Sequence, residues 1–86
     1  MMLEKMTTNY YKVLSFMYDN IIEINKESMI PLTQNEISII TKINKVTINK
    51  LFKEYIEDGI LYKRNSRYYF TEDAINIIKK MKSLKL

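Results

Sequence analysis

Residues 32–50 read LTQNEISIITKINKVTINK, and this stretch decides the fold. It begins with a capping box, in which the Thr33 hydroxyl accepts from the Glu36 amide and the Glu36 carboxylate accepts from the Thr33 amide. Apolar residues flank the box at the spacing of a hydrophobic staple. These signals predict a short helix over residues 33–41, whose inward side chains are Ile37 and Ile40.

A second helix is predicted after the three residues Lys42-Ile43-Asn44. Asn44 is a good N-cap because its side chain can accept from an amide in the first turn. The helix covers residues 44–58 and ends before Gly59, the only glycine, which suits the left-handed position after a helix. Its apolar side chains recur at i, i+3, i+4, i+7 and i+8, namely Ile48, Leu51, Phe52, Tyr55 and Ile56.

The N-terminal part predicts one longer helix. It covers residues 8–24, after a loose start at residues 1–7. Apolar residues recur there at steps of three and four: Tyr10, Leu14, Met17, Ile21 and Ile24. The segment 29–32 is short and interrupted by Pro31, so it can form a brief edge strand at best.

The C-terminal part predicts a hairpin and a last helix. Residues 60–64 and 67–70 are rich in β-favouring side chains and flank the polar pair Asn65-Ser66, which is typical of a tight turn. Thr71 is an N-cap for a helix over about residues 72–84. The chain is thus predicted to be a single, mainly α domain over residues 1–86 with a small β-hairpin (α+β), in the order α-β-α-α-β-β-α.

Composition removes most enzyme classes. The chain has no cysteine, no histidine and one glycine. It therefore offers no thiolate or imidazole for catalysis, no usual zinc or transition-metal site and no glycine-rich phosphate loop. We expect a protein that is not an enzyme and holds no cofactor or metal. No apolar run approaches the length of a membrane span, and Glu4 and Lys5 interrupt any export signal, so the predicted location is the cytoplasm.

Basic charge is concentrated in the second half of the chain. Residues 42–70 carry seven Lys or Arg against three Asp or Glu, whereas residues 1–41 carry three against five. A basic segment that contains two short helices and a hairpin is typical of a nucleic-acid-binding domain.

The order of elements resembles that of bacterial and phage winged helix-turn-helix proteins, in which the hairpin is the wing. The resemblance covers residues 32–70 and is similar in register to the MarR-type and plasmid-replication-type members. It rests on Leu32-Thr33-Gln34-x-Glu36-Ile37, Thr41-x-Ile43-Asn44-Lys45-x-Thr47-Ile48, Leu51, Gly59-Ile60-Leu61 and Tyr68. Lys42 stands where such turns usually carry glycine and would adopt a positive φ at a modest cost. The short wing lacks glycine, which argues against deep insertion into the minor groove.

Double-stranded DNA is the ligand that this resemblance implies. The polar side of the helix over residues 44–58 would enter the major groove, N-terminal end first. The predicted base contacts are Lys45, Val46, Thr47, Asn49 and Lys50. Among them, asparagine suits adenine, lysine suits guanine, and the valine and threonine methyl groups suit thymine. The predicted backbone contacts are Thr33, Gln34, Lys53, Lys63, Arg64 and Arg67.

Each of these assignments has an alternative. A lysine on an outer helix face is often only a solvated charge. Three tyrosines of the hairpin could stack on bases, but at least two of them are expected in the core; they are Tyr62, Tyr68 and Tyr69.

The last predicted helix carries a wider apolar arc than a small core needs, which predicts a homodimer. The predicted interface residues are Ile77, Ile78, Met81 and Leu84. Such a dimer is either a small transcriptional regulator or repressor, or an adaptor similar to the TubR-like proteins, which link plasmid or phage DNA to a filament-forming protein during segregation. The acidic N-terminal half would then dock the partner protein, through Asp19, Glu23, Glu27 and Glu36. A winged helix that binds protein instead of DNA is the alternative from another class.

Overall fold

The structure is a computed structural model that describes residues 9–84, without the side chain of Leu84. Over these residues it is a mixed α/β fold with four helices and a four-stranded antiparallel sheet. In chain order the elements are α1 (Tyr11–Asp19), β1 (Ile22–Ile24), β2 (Glu27–Ile30), α2 (Gln34–Thr41), α3 (Lys45–Glu57), β3 (Leu61–Arg64), β4 (Arg67–Phe70) and α4 (Glu72–Leu84). The predicted loose start at residues 1–7 lies outside the described residues.

The three side-chain caps predicted at helix starts are confirmed. Thr33 Oγ1 accepts from the Glu36 amide at 3.1 Å, and the Thr33 amide donates to Glu36 Oε1 at 2.8 Å, which completes the capping box of α2. Asn44 Oδ1 accepts from an amide in the first turn of α3 at 2.8 Å. Thr71 Oγ1 does the same at the start of α4, at 3.2 Å. These caps satisfy amides that a helix N-terminus leaves without partners, so local chemistry fixes where α2, α3 and α4 begin.

A tight turn joins α2 to α3. Lys42 closes α2 in the left-handed conformation, with φ 62°, as expected for a turn without glycine. The Ser38 hydroxyl donates to the Ile43 carbonyl at 2.6 Å and ties α2 to the turn. Gly59 has φ 74° and redirects the chain from the end of α3 into β3. The two helices are therefore held close to one another by contacts within residues 34–59.

The predicted first helix is too long. α1 ends at Asp19, and residues 22–24 form β1, which pairs with β2 across the turn Asn25-Lys26. Isoleucines in this segment fit a helical period, but β-branched side chains also favour strands, and the pairing with β2 decides between the two. The element order is therefore α-β-β-α-α-β-β-α, with one strand more than predicted.

Two-residue turns close both hairpins that the described residues contain. Asn25 and Lys26 have φ values of 51° and 67°, and Asn65 and Ser66 have 52° and 66°. Two consecutive positive φ values are the geometry of a type I′ turn, whose twist matches that of the strands it joins. The predicted tight turn at Asn65-Ser66 is confirmed, and the same geometry accounts for the unpredicted β1–β2 hairpin.

Strand β2 is an inner strand of the sheet, whose order is β1-β2-β4-β3. The prediction of a brief edge strand over residues 29–32 is wrong, because β2 begins two residues earlier and pairs with both β1 and β4. Pro31 follows the last paired residue, where its missing amide hydrogen interrupts no ladder. Ile30 lies opposite Tyr68, so the sheet holds the segment that enters α2 beside the hairpin that follows α3.

The helices pack on one face of the sheet, around a core in which Tyr55 is fully buried. The Tyr55 hydroxyl donates to the Tyr10 carbonyl at 2.6 Å and joins α3 to the start of α1. Two residues predicted to point inward are exposed, namely Ile40 on α2 and Ile56 on α3. Each helix is covered along a narrower stripe than its apolar pattern suggests. The buried residues of α2 are Ile37 and Thr41, and those of α3 are Ile48, Leu51, Phe52 and Tyr55.

Helix α4 has one buried side and one exposed side. The prediction that Ile78 contributes to a dimer interface is wrong, because this side chain is 7% exposed and belongs to the hydrophobic core. Ile77 is 58% exposed, and Met81, one turn further along, is also exposed. The side chain of Leu84 lies outside the described residues. The apolar arc of α4 is wide because it includes both buried core residues and the exposed pair Ile77 and Met81.

Candidate nucleic-acid interface

The side of α3 that faces away from the core presents the predicted base-contact residues. Because the buried stripe of α3 occupies one side of the helix, Lys45, Val46, Asn49 and Lys50 are exposed on the rest of its surface. Val46 is 79% exposed. Thr47 is half-buried, and its amide is taken up by the Asn44 cap. Four of the five predicted base contacts are therefore accessible from solvent, and the fifth lies partly beneath them.

Within residues 9–84, the lysines of this surface form no ion pair. Among residues 9–84, the ion pairs are Arg64–Glu27 and Lys82–Asp19. Lys45, Lys50 and Lys53 on α3 therefore keep their positive charge without a carboxylate partner in the described residues. Their charge is available to a ligand, and a polyanion is the ligand that several neighbouring unpaired cations favour.

Three side chains from three elements meet beside this surface. Asn49 Nδ2 on α3 donates to Gln34 Oε1 at 3.2 Å, and Gln34 Nε2 on α2 donates to the Tyr68 hydroxyl on β4, also at 3.2 Å. Gln34 was predicted to contact a phosphate, and Tyr68 was predicted either to lie in the core or to stack on a base. The one sequence signal that could have placed Tyr68 beside this surface is strand alternation, because it puts Tyr68 on the same hairpin face as Lys63.

The two predicted phosphate contacts at the start of α2 already form hydrogen bonds within the protein. Gln34 uses both ends of its amide within the protein. The Thr33 amide donates to Glu36, whose carboxylate therefore sits at the positive end of α2, where a phosphate would otherwise lie. The Thr33 hydroxyl accepts in the cap and keeps its own hydrogen, and Gln34 Nε2 keeps its second hydrogen, so phosphate contacts by Thr33 and Gln34 stay a prediction.

The cations of the β3–β4 hairpin are divided between its two faces. Lys63 lies opposite Tyr68 in the register, and its ammonium is 5.6 Å from the centre of the tyrosine ring. Arg64 lies opposite Arg67 on the other face. The two hairpin cations adjacent in sequence therefore point to different sides of the sheet, and only Lys63 shares a face with the Gln34–Tyr68 contact.

Arg64 is held by Glu27 on that other face. Arg64 Nη1 donates to Glu27 Oε2 at 2.7 Å, and Nη2 donates to Oε1, so the pair is bidentate. The Tyr62 hydroxyl donates to the same carboxylate at 2.9 Å, and the guanidinium lies 4.8 Å from the centre of the Tyr69 ring. Hydrogen bonds from Arg64 and then Tyr62 lower the pKa of Glu27 below its ordinary value. The prediction of Arg64 as a free phosphate contact is thus corrected, because its charge already has a partner.

The expectation that two of the three hairpin tyrosines are core residues is wrong, since all three are half-buried. Tyr68 packs edge-on against the buried ring of Phe52, with 4.6 Å between ring centres. Tyr62 and Tyr69 stack on each other across β3 and β4, with ring centres 5.3 Å apart. Each of these three rings has an aromatic contact within the described residues, so stacking on a base would have to use the part of the ring that these contacts leave open.

Neither a metal site nor a membrane-spanning helix is found among the described residues. No three His, Cys, Asp or Glu side chains in residues 9–84 are grouped so that they could hold a metal ion. None of the helices in that range has the length and apolar content of a membrane span. Comparison of the chain with protein-family models, with curated proteins and with solved structures gives no match. Functional assignment therefore depends on the geometry of α2, α3 and the β3–β4 hairpin.

Proposed function

We propose that this protein is a winged helix-turn-helix protein that binds double-stranded DNA in a sequence-specific way. In this proposal α3 is the recognition helix, and the β3–β4 hairpin, residues 61–70, is the wing. The observation that carries the proposal is the outer side of α3, where Asn49 and Lys50 stand exposed beside Val46, with no ion-pair partner for the lysine among the described residues. Such a mixture of amide, cation and methyl groups matches the edges of base pairs in the major groove.

The dimensions of α3 support this assignment. It has 13 residues, which is about 20 Å at the rise of an α-helix. The major groove is about 12 Å wide and admits one helix with its side chains. Because the Asn44 cap starts the helix at the exposed end, the first two turns can enter the groove while the last turn remains outside.

The proposed contacts divide into two groups. Asn49 reads adenine, Lys50 reads guanine and Val46 contacts a thymine methyl group. Lys53, Lys63 and Arg67 are exposed and bind phosphates, which fix the register without reading the sequence. Lys45 and Thr47 lie in the first turn of α3, where a side chain can reach either a base edge or a phosphate.

We further propose that the protein acts as a homodimer through α4. The exposed pair Ile77 and Met81 supports this, since both lie on the side of α4 that its own core leaves uncovered. One module contacts about one half-site, and two copies provide the area and site length that specific binding requires.

A small transcriptional regulator is the role that we favour over a segregation adaptor. The adaptor would need an acidic surface for its partner, but two of the four carboxylates assigned to that surface are paired. Glu27 binds Arg64, and Asp19 Oδ1 lies 3.3 Å from Lys82 Nζ. Only Glu23 and Glu36 of that group remain outside the ion pairs of the described residues, which leaves little charge to attract a basic partner.

Selection of duplexes from a random library, followed by fluorescence anisotropy, tests the DNA proposal. The wild-type protein is expected to bind the selected duplex more tightly than a scrambled one. Lys50→Ala should weaken the selected duplex by roughly 5- to 150-fold, the value of a good base contact. Lys79→Ala, which removes an exposed lysine of α4, is the matched control and should change little. Failure of the wild-type protein to bind any duplex at low salt would refute the proposal and favour the protein-binding alternative.

Footprinting on the DNA beside the gene separates the two roles. A regulator is expected to protect one palindromic site, filled independently of its neighbours. Cooperative protection of a repeat array would contradict the regulator and support the adaptor.

A further inference from the structure

The amide of Asn49 is oriented before any ligand binds. Its Nδ2 donates to Gln34 Oε1 at 3.2 Å, across the angle between α2 and α3. Asn49 is otherwise exposed, and an exposed terminal amide rotates broadly about its last torsion. The contact with Gln34 selects one orientation of the amide plane from that range.

Gln34 is fixed in turn from the wing. Its Nε2 donates to the Tyr68 hydroxyl at 3.2 Å. The Tyr68 ring packs on Phe52, whose side chain is fully buried on α3. The ammonium of Lys63, on the wing, lies over the same tyrosine ring. The chain of contacts therefore runs from the core through Tyr68 and Gln34 to the tip of Asn49.

The remaining hydrogen-bonding capacity of Asn49 matches one base. A side-chain amide has two N–H donors and one carbonyl acceptor. When the N–H that points away from Oδ1 is the one directed to Gln34, the other N–H and Oδ1 remain side by side. Adenine presents an acceptor at N7 and a donor at N6 in the major groove, and this is the pair that a free N–H and a free carbonyl oxygen complement.

We propose that Gln34 is a positioning residue that sets Asn49 to read an adenine, and that Tyr68 of the wing holds Gln34 in place. This inference rests on the proposed binding of DNA by α3. In it the wing affects base recognition without touching a base, and Gln34 acts through Asn49 rather than through a phosphate.

The test compares base-pair discrimination with overall affinity. The wild-type protein and Asn49→Ala are titrated with the selected duplex and its single-base variants, to find the base pair whose identity matters only when Asn49 is present. That pair is expected to be A·T, and replacement of its adenine by 7-deazaadenine, which lacks N7, should weaken the wild-type complex by about tenfold. Gln34→Ala should reduce that penalty to about twofold, because a freely rotating amide aligns less well, while binding to a scrambled duplex stays unchanged.

Three further variants separate positioning from structure. Tyr68→Phe keeps the packing on Phe52 and removes only the hydroxyl, so it should show a smaller loss of discrimination. Gln34→Glu retains an acceptor for Asn49 and should retain discrimination, although its negative charge lowers affinity for every duplex. Asn35→Ala, at the next and exposed position of α2, should behave as the wild type.

The outcomes distinguish this inference from the function on which it rests. If Gln34→Ala discriminates as well as the wild type on the selected duplex, the positioning role is refuted and DNA binding by α3 stands. A specific wild-type complex that is insensitive to 7-deazaadenine at every position refutes the adenine assignment. A wild type that binds no duplex refutes the proposed function itself.

Discussion

The ion pair between Glu27 and Arg64 predicts that two neighbouring cations of the wing contribute unequally to DNA binding. Each phosphate contact adds about 0.9 to the slope of log affinity against log salt concentration. Between 50 and 200 mM salt, that is roughly a 3.5-fold change in affinity per contact. Lys63 has no ion-pair partner among the described residues, whereas Arg64 is bound by Glu27 through both of its Nη atoms. Lys63→Ala should therefore lower the slope by about 0.9 per protomer, and Arg64→Ala should lower it far less.

The converse change should strengthen binding. Glu27→Gln removes the charge that holds Arg64, so the slope on a scrambled duplex should steepen by about 0.9 per protomer. Glu23→Gln is the matched control, because Glu23 lies on the adjacent strand, is exposed, and is in none of the ion pairs of residues 9–84. Both substitutions remove one negative charge, so the difference between them isolates the release of Arg64.

Acid should not release Arg64 in the range where DNA binding is measured. Arg64 holds the pKa of Glu27 below its ordinary value. A carboxyl group with a lowered folded-state pKa keeps its contribution as pH falls and loses it only on passing through that lower value. The wild-type slope should thus be constant between roughly pH 5 and pH 8. Fluorescence anisotropy across a salt titration measures all of these slopes. Equal slopes for Lys63→Ala and Arg64→Ala, together with equal slopes for Glu27→Gln and Glu23→Gln, would refute the reasoning.

Three further predictions concern stability and assembly. Thr33→Ala should lower the free energy of unfolding by about 1 kcal/mol, since it removes the side-chain half of the capping box, and urea denaturation measures this; an unchanged midpoint would contradict the cap. Ile78→Ala should cost about 2–5 kcal/mol as a core truncation, whereas Ile77→Glu should leave the fold intact and yield monomers in sedimentation velocity, and an unchanged mass would contradict the α4 interface. Burial raises the pKa values of Tyr10 and Tyr55, so the stability that they contribute is complete below pH 10.0 and is lost as pH rises toward the higher folded-state values. Tyr55→Phe should flatten that alkaline loss in urea titrations, and a fall in stability as steep as that of the wild type would argue against it.

Features encoded within a few residues were predictable from the sequence. The caps at Thr33, Asn44 and Thr71 each depend on a side chain and an amide three residues apart. Gly59 and the Asn65-Ser66 turn depend on backbone preferences of one or two residues. Interactions of this range have the same chemistry in any surroundings, so a pattern in the sequence is enough to find them.

Strand β1 was not predictable from local pattern. Ile21 and Ile24 continue the helical spacing of α1, and Asn25-Lys26 is a weaker hairpin signal than a pair that contains glycine. What makes residues 22–24 a strand is pairing with β2, which in turn pairs with β4 far along the chain. Tertiary pairing therefore overrides a periodicity that fits either structure.

The contacts that organise the candidate site are also long-range. The Gln34–Tyr68 bond joins residues 34 positions apart, and the Arg64–Glu27 bond joins residues 37 positions apart. Helical periodicity predicts which residues of α3 face outward. It does not predict which cation of a hairpin forms an ion pair with a carboxylate on another strand. The base-contact candidates were thus accessible to sequence reasoning, whereas the partners of Arg64 and Gln34 were not.

The pairing of β2 with β4 has a kinetic consequence for the contact between Gln34 and Tyr68. Ile30 lies opposite Tyr68, and Ser28 opposite Phe70, so this pairing closes a loop of about forty residues that contains both α2 and α3. Non-local contacts of this kind are slow to form, because the chain loses the entropy of loop closure before it gains the contact. Helices α2 and α3 can form early, but Gln34 meets Tyr68 only when the sheet has closed around them. The hydrogen bond between Gln34 and Tyr68 therefore requires closure of the sheet as well as formation of α2 and α3.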